Sequence, residues 1–180
     1  MKVPGDYIAG LTDGEGCFSL VVRKDTRHER KSKATYFSWK AAFIISLRID
    51  DKDLLDSVRE TLTCGSVTFN SGSARFQVSN LDDLRDRIIP FFDHHKLYGK
   101  KAKDFAVWRE AVDILIKYKI ARGGVNVRKG TVGFVKVSWD KRDTDRLYQI
   151  RDYSSQFKSS RAVPVKWITR SLGRSTGDTD

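Results

Sequence analysis

Between Tyr36 and Arg48 the chain alternates without a break. Phe37, Trp39, Ala41, Phe43, Ile45 and Leu47 fall on one face of an extended segment, and Tyr36, Ser38, Lys40, Ala42, Ile44, Ser46 and Arg48 on the other. Side chains of a strand point alternately to opposite faces, so this pattern demands a long strand with one dry and one mixed face. Upstream, Phe18, Leu20 and Val22 alternate with Ser19, Val21 and Arg23, and the charged stretch Lys24 to Lys33 joins the two. Downstream, Ser66 to Asn70 and Ala74 to Ser79 read as a hairpin around Ser71-Gly72-Ser73, with Val67, Phe69, Phe76 and Val78 inward and Thr68, Asn70, Arg75 and Gln77 outward.

Helical patterns separate the strands. A short helix precedes the first, about Asp6 to Asp13, and Asp50 or Asp51 can cap a second one bearing Leu54, Leu55, Val58 and Leu62, with Gly65 closing the connection. Asn80 caps Leu81 to Phe92, and a long helix from Lys100 to Tyr118 carries Phe105, Trp108, Val112 and Leu115 on one stripe. The order is α-β-β-α-β-β-α. It predicts an α+β fold in which a four-stranded antiparallel sheet packs helices on one face and leaves the other for a partner. A basic Gly-rich loop (Ala121 to Gly130), a strand-like Thr131 to Trp139 and a helix near Thr144 to Phe157 follow. The whole reads as a single domain over 1–172, with its core at 6–118, an extension at 119–172 and a frayed tail at 173–180.

Charge narrows the partner. The 180 residues hold 34 Lys+Arg against 23 Asp+Glu, a formal net charge of +11. Two basic stretches, 21–48 and 96–136, flank an acidic one at 49–95, which points to a polyanion, with nucleic acid ahead of an anionic membrane surface. The alternative is an ordinary solvated basic surface. A hydrophobic content of 39% excludes wholesale disorder. The longest uncharged apolar run, Ala41 to Leu47, falls far short of the ~20 residues of a membrane span. The first residues lack the apolar region of a secretory signal, and Cys17 and Cys64 are too few for a disulfide framework. Together these predict a soluble intracellular protein, in a prokaryotic cytoplasm or an organelle.

Gly10 and Gly14 lie four apart on one face of the first helix, where each glycine costs about 1 kcal/mol relative to Ala. Small residues on one stripe let two backbones approach, so this face is a candidate for packing against another helix. Asp13 and Glu15 sit where the helix ends. Carboxylates are unfavourable at the negative end of a helix dipole, and a bound cation would offset that. A C-cap turn with two solvated acids is the other reading.

Ile8-Ala9-Gly10-Leu11-Thr12-Asp13-Gly14-Glu15-Gly16 resembles the nine-residue signature of the LAGLIDADG homing endonucleases. Ala9, Gly10, Leu11, Asp13 and Gly16 are identical, Ile8 and Glu15 conservative, and Ile88-Ile89-Pro90-Phe91-Phe92 with Lys100-Lys101 and Asp104-Phe105 is similar to a second landmark of the family. The resemblance implies a saddle-shaped sheet lying on double-stranded DNA and signature helices of two copies packed together through Ile8, Ala9, Gly10, Leu11 and Asp13. It also implies a divalent cation, Mg²⁺ or another such as Mn²⁺, held by Glu15 beside the Gly14 carbonyl. One motif in the chain implies a homodimer. Lys100 or Lys101 would assist catalysis, and spacing does not choose between them. The family's polar residue near the end of the second strand falls on Leu47, and its following basic residue on Asp51, although Arg48 or Lys52 could substitute.

With that signature, the outward polar face becomes a candidate DNA surface: Ser19, Val21, Arg23, Ser38, Lys40, Ile44, Ser46, Arg48, Ser66, Thr68, Asn70, Arg75 and Gln77. Arg suits guanine, Asn and Gln adenine, Ser and Thr either, and Val21 and Ile44 thymine methyls. Arg27 and Arg30 would extend along the duplex, and Lys117, Lys119, Arg122, Arg128 and Lys129 would meet phosphates. His94-His95 lacks partners at ligand spacing and reads as structural. Trp39, Trp108, Trp139 and Trp167 read as core or dimer contacts, and no nucleotide-cofactor fingerprint occurs. The resemblance implies a metal-dependent endonuclease that cuts a long pseudo-palindromic site across the minor groove, leaves 3′ overhangs and spreads an intron. The alternative is a nucleic-acid-binding protein without cleavage, either an RNA maturase or a DNA-binding regulator.

Overall fold

The computed structural model describes residues 2–26, 35–123 and 138–155. Helix α1 (Gly5–Glu15) runs directly into β1 (Gly16–Thr26), which pairs antiparallel with β2 (Thr35–Arg48). A 3₁₀ turn (Ile49–Asp51) leads into α2 (Lys52–Leu62), and the hairpin β3 (Ser66–Phe69) and β4 (Ser73–Val78) follows. The four strands form one sheet in the order β1-β2-β4-β3. The last part of the chain contributes α3 (Leu81–Asp83), a π-helical stretch (Leu84–Ile88), α4 (Ile89–His94), α5 (Lys100–Gly123) and α6 (Lys141–Ser155). The α+β architecture read from the alternation is the one observed.

The dry face of the sheet carries the core. Phe18 of β1 stands among Phe43, Phe92, Phe105 and Trp108, with ring centroids 5.2 to 5.5 Å apart. The fully buried Trp108 also donates its Nε1–H to the Ser19 carbonyl at 3.0 Å, which locks α5 across β1. Helix α6 joins the same core through Leu147 and Ile150, and its Tyr148 meets the Trp39 ring edge-on at 5.0 Å. Trp139 stacks on Tyr118 at 3.9 Å, while Trp167 lies outside the described residues.

Local chemistry explains the joints. Gly65 has φ +82°, a conformation that L side chains rarely adopt, and a Cβ there would lie 2.7 Å from the Phe76 ring. Asn80 caps α3 by accepting the Asp82 N–H at 2.9 Å. Several expectations shift. Asp51 occupies the N-cap of α2 with no side-chain cap bond, because the 3₁₀ turn supplies the entry, and Asp50 turns to Arg48 at 3.0 Å. The helix expected over Leu81 to Phe92 reaches His94 and widens to a π-helix just ahead of Pro90, which has no N–H to donate to the preceding turn. Phe69 is 63% exposed instead of inward, since β3 is a four-residue edge strand, and Lys52 Nζ lies 4.8 Å from its ring centre. Helix α5 continues past Tyr118 to Gly123, and α6 starts at Lys141. Of the stretch read as a strand, 131–137 lies outside the described residues and Ser138 to Asp140 is irregular. The tail at 173–180 also lies outside. No helix among the described residues is long and apolar enough to cross a membrane.

Candidate metal and nucleic-acid site

The end of α1 is shaped by Thr12 and Gly16. Thr12 is fully buried, its hydroxyl donates to the Ile8 carbonyl at 2.7 Å, and its own carbonyl receives the Gly16 N–H. A Cβ on Gly16 would stand 2.5 Å from both Thr12 Cγ2 and the Thr12 carbonyl oxygen, so only glycine lets β1 leave the helix at once. Glu15 is left exposed at this junction, and among the described residues no hydrogen bond or ion pair engages its carboxylate. An unpaired carboxylate at the negative end of a helix is a set of hard oxygen donors suited to a cation such as Mg²⁺. No cluster of three or more His, Cys, Asp or Glu that could hold a metal occurs among the described residues. The donors therefore fit a cation only as part of a larger set.

The faces of α1 divide by residue size. Ile8 is 0% exposed and Ala9 is buried too, both inside the chain's own core, so of the residues assigned to a dimer interface these two present little surface in the single chain. Gly10 and Gly14 are the reverse, because a Cβ at either position would find no atom within 4 Å. Tyr7 is exposed and Leu11 half-buried on the same side. Asp13 bonds within its own chain, where its carboxylate accepts the Tyr98 N–H at 2.9 Å and the Gly99 N–H at 3.2 Å. Lys100 and Lys101 follow at once in the first turn of α5.

Cross-strand register arranges the outward face in rows. Cys17, Ile44, Gln77 and Ser66 form one, Ser46, Arg75 and Thr68 the next, and Val21–Lys40 and Arg23–Ser38 lie towards the far end. Arg23, Lys40, Ser46, Arg48, Ser66, Thr68 and Arg75 are exposed, as is Val21, and Ser19, Ser38 and Gln77 are half-buried. Two positions depart from expectation. Ile44 is only 8% exposed, seated in the central strand between Cys17 and Gln77, so it is closed to a base. Asn70 lies in the turn, and its Oδ1 accepts the Gly72 and Ser73 N–H groups at 3.0 and 2.9 Å, which spends the acceptor that a bidentate adenine contact needs. Cys17 and Ala42 belong to this face as well, a consequence of the same period of two that the sequence list left out.

Arg27, Arg30, Arg128 and Lys129 lie outside the described residues, and the Arg122 side chain is not among those described. Lys117 pairs with Asp143 at 2.7 Å and Lys119 with Asp82, both at the surface with the lysine side chains 63% and 45% exposed, so each can exchange its carboxylate for another anion. Leu47 turns to the core. His95 bonds Asp6 at 2.7 Å and packs at a tilt against the Phe91 ring, a structural role as expected.

The arrangement of helices on one four-stranded antiparallel sheet is a fold shared with solved homing endonucleases. The chain belongs to the LAGLIDADG endonuclease family, whose pattern its residues 8–112 match. It is 29% identical over 106 residues to "Probable intron-encoded DNA endonuclease 1" of Mycosarcoma maydis, covering 58% of this chain and 35% of that protein. With "Homing endonuclease I-ApeII" of Aeropyrum pernix it shares 28% over 121 residues, covering 64% and 66%. The chain thus spans about a third of the first relative's length. In fold it is similar to the I-SmaMI LAGLIDADG homing endonuclease bound to cleaved DNA (TM-score 0.65, 20% identity, 86% of this chain and 45% of that one). It is similar also to the homing endonuclease I-TnaI (TM-score 0.63, 18% identity, 96% and 98%).

Proposed function

We propose that this protein is a site-specific DNA endonuclease that hydrolyses phosphodiester bonds as a pair of identical subunits. The observation that carries the reading is the unpaired Glu15 carboxylate beside the open Gly10 and Gly14 strip of α1. Packing two such strips together brings the two Glu15 residues to the symmetry axis and completes a donor set that one chain lacks. Glu15 would hold a divalent cation, Mg²⁺ or Mn²⁺, with the Gly14 carbonyl as neighbour. Bound there, the cation supplies an activated water and charge stabilisation for the leaving 3′ oxygen. Pairing also aligns two sheets into one surface. Arg23, Lys40, Arg48, Arg75, Gln77, Ser46, Ser66 and Thr68 would then meet a long pseudo-palindromic duplex, consistent with the intron-encoded relatives and with spread of an intron.

Incubation with a library of duplex sites tests this, comparing wild type with Glu15→Gln, in Mg²⁺ and in chelator. Cleavage by wild type in Mg²⁺ alone supports it. Equal binding with cleavage by neither protein supports instead the non-cleaving binder, an RNA maturase or DNA-binding regulator, a reading favoured by the core-facing Leu47 and by the acidic Asp51. Sedimentation decides the assembly: a strict monomer with and without DNA contradicts the paired form.

A further inference from the structure

We infer that Asp13 is a positioning residue, whose carboxylate clamps the start of α5 to the Glu15 end of α1 and so sets Lys100 and Lys101 relative to Glu15. Its catalytic consequence rests on the endonuclease reading above; its geometry does not. Both oxygens are used. Asp13 Oδ2 accepts the Tyr98 N–H at 2.9 Å and Oδ1 the Gly99 N–H at 3.2 Å, across 85 and 86 residues of sequence. The Gly99 carbonyl in turn accepts the Ala102 N–H at 3.1 Å, so the clamped residue is the one that opens α5. A Cβ at Gly99 would sit 3.3 Å from Asp13 Oδ1, which leaves little room for anything larger.

The electrostatics favour the joint. An acid in the last turn of α1 is misplaced with respect to its own helix, but it lies at the positive end of α5, whose first N–H groups have no partner within the helix. Asp13 answers both.

A second clamp shows that the whole loop is held against α1. His95 bonds Asp6 at 2.7 Å, and Asp6 and Asp13 are seven residues apart, two turns and about 10 Å along one side of the helix. The loop from His95 to Gly99 therefore runs beside α1, fastened at each end. That side lies between the core face (Ile8, Ala9, Thr12) and the open face (Gly10, Gly14). Asp6 fastens the end remote from Glu15 and Asp13 the end next to it, so of the two clamps it is the Asp13 one that bears on the spacing of Glu15 from Lys100 and Lys101.

Asp13→Ala, Asp13→Asn and Asp6→Asn are compared with wild type by three measurements: amide exchange at Tyr98 and Gly99, duplex affinity without divalent metal, and single-turnover cleavage of bound DNA. A displacement of the lysines costs rate and not binding. Asp13→Ala should speed exchange about tenfold, leave affinity within about threefold and slow cleavage at least about tenfold. Asp13→Asn, which keeps one acceptor oxygen, should fall between, and it carries the comparison if the alanine variant fails to fold. Asp6→Asn should cleave within about threefold of wild type. Faster exchange with unchanged cleavage overturns the inference, as does a parallel loss of affinity and rate. Unchanged exchange overturns it alone, whereas absence of cleavage by wild type overturns the endonuclease reading and the positioning role with it.

Discussion

The junction of α5 with α6 and the junction of α1 with β1 are both rich in charge, and they use it in opposite ways. Between α5 and α6 the carboxylates are matched. Glu110 accepts two bonds from Arg146, both 2.7 Å, and Asp143 takes Lys117 Nζ and the Tyr118 hydroxyl, each at 2.7 Å. The Asp140 N–H closes the set on Tyr118 Oη at 2.8 Å. At the end of α1, Asp13 is matched by two backbone N–H groups and Glu15 by nothing among the described residues. Paired charge braces a fold. A carboxylate left exposed at the unfavourable end of a helix dipole adds nothing to stability, and the cation proposed above would give it a partner.

The largest effect that would sharpen this contrast is at Glu15. Glu15→Gln should lower single-turnover cleavage by about a hundredfold or more, with thermal stability unchanged or slightly raised, because the charge removed bonds nothing among the described residues and sits at the unfavourable end of a helix dipole. A fall in melting temperature would mean that Glu15 belongs with the bracing charges. Next come Gly10→Leu and Gly14→Leu. There is open space at both positions, so a single chain should fold normally while sedimentation shows loss of the dimer.

Gly10→Ala makes a finer point, since it should stabilise the monomer by up to about 1 kcal/mol through helix propensity while weakening self-association. Both read out in one set of melts at varied protein concentration. At the braced junction, Arg146→Met should cost only about 0.2 to 1 kcal/mol, for the Arg146 and Glu110 side chains are 42% and 45% exposed, and cleavage should not change.

Acid provides the smallest test. Arg146 holds the Glu110 carboxyl below its ordinary value, and Lys117 with Tyr118 holds Asp143 below its own. A depressed carboxyl contributes stability above its unfolded pKa, about 4, and loses it as pH falls through the lower folded value. Docking of α6 should therefore loosen below about pH 4, seen as lower amide protection at Leu147 and Ile150 relative to the intrinsic exchange rate at the same pH. Arg146→Met should shrink that acid-induced change, because the lowering of the Glu110 carboxyl, and the acid-labile stability tied to it, goes with the guanidinium.

Much of the architecture was legible because it rests on period. The alternation from Tyr36 to Arg48 reappears as β2, and the stripe of Phe105, Trp108, Val112 and Leu115 as the buried side of α5. Period assigns a residue to a face without saying how open that face is. Ile44 is outward by alternation yet closed over in a central strand, and Phe69 is inward by alternation yet bare at an edge. The α1 signature shows the same limit: its small and large residues were visible, but which side met the core was not. Asn70 was misread for another reason, since a turn competes for the same amide oxygen that a base would use.

Cysteine chemistry divides along these lines too. Burial, with Asp83 nearby, pushes the Cys64 thiol up to about 11, so it is a packing residue, while Cys17 lies on the outward face.

By itself the sequence determined the αββαββα order, the helix that ends on Glu15, and the basic stretches that point to a polyanion, because periodicity, propensity and charge are carried by neighbours in the chain. Only the tertiary structure decided which charges are available. Lys117 and Lys119 are paired with Asp143 and Asp82, Asp13 is drawn to Tyr98 and Gly99, and Glu15 has no partner among the described residues. Those partners are distant in sequence, and a carboxylate's role is set by what stands within hydrogen-bonding distance of it.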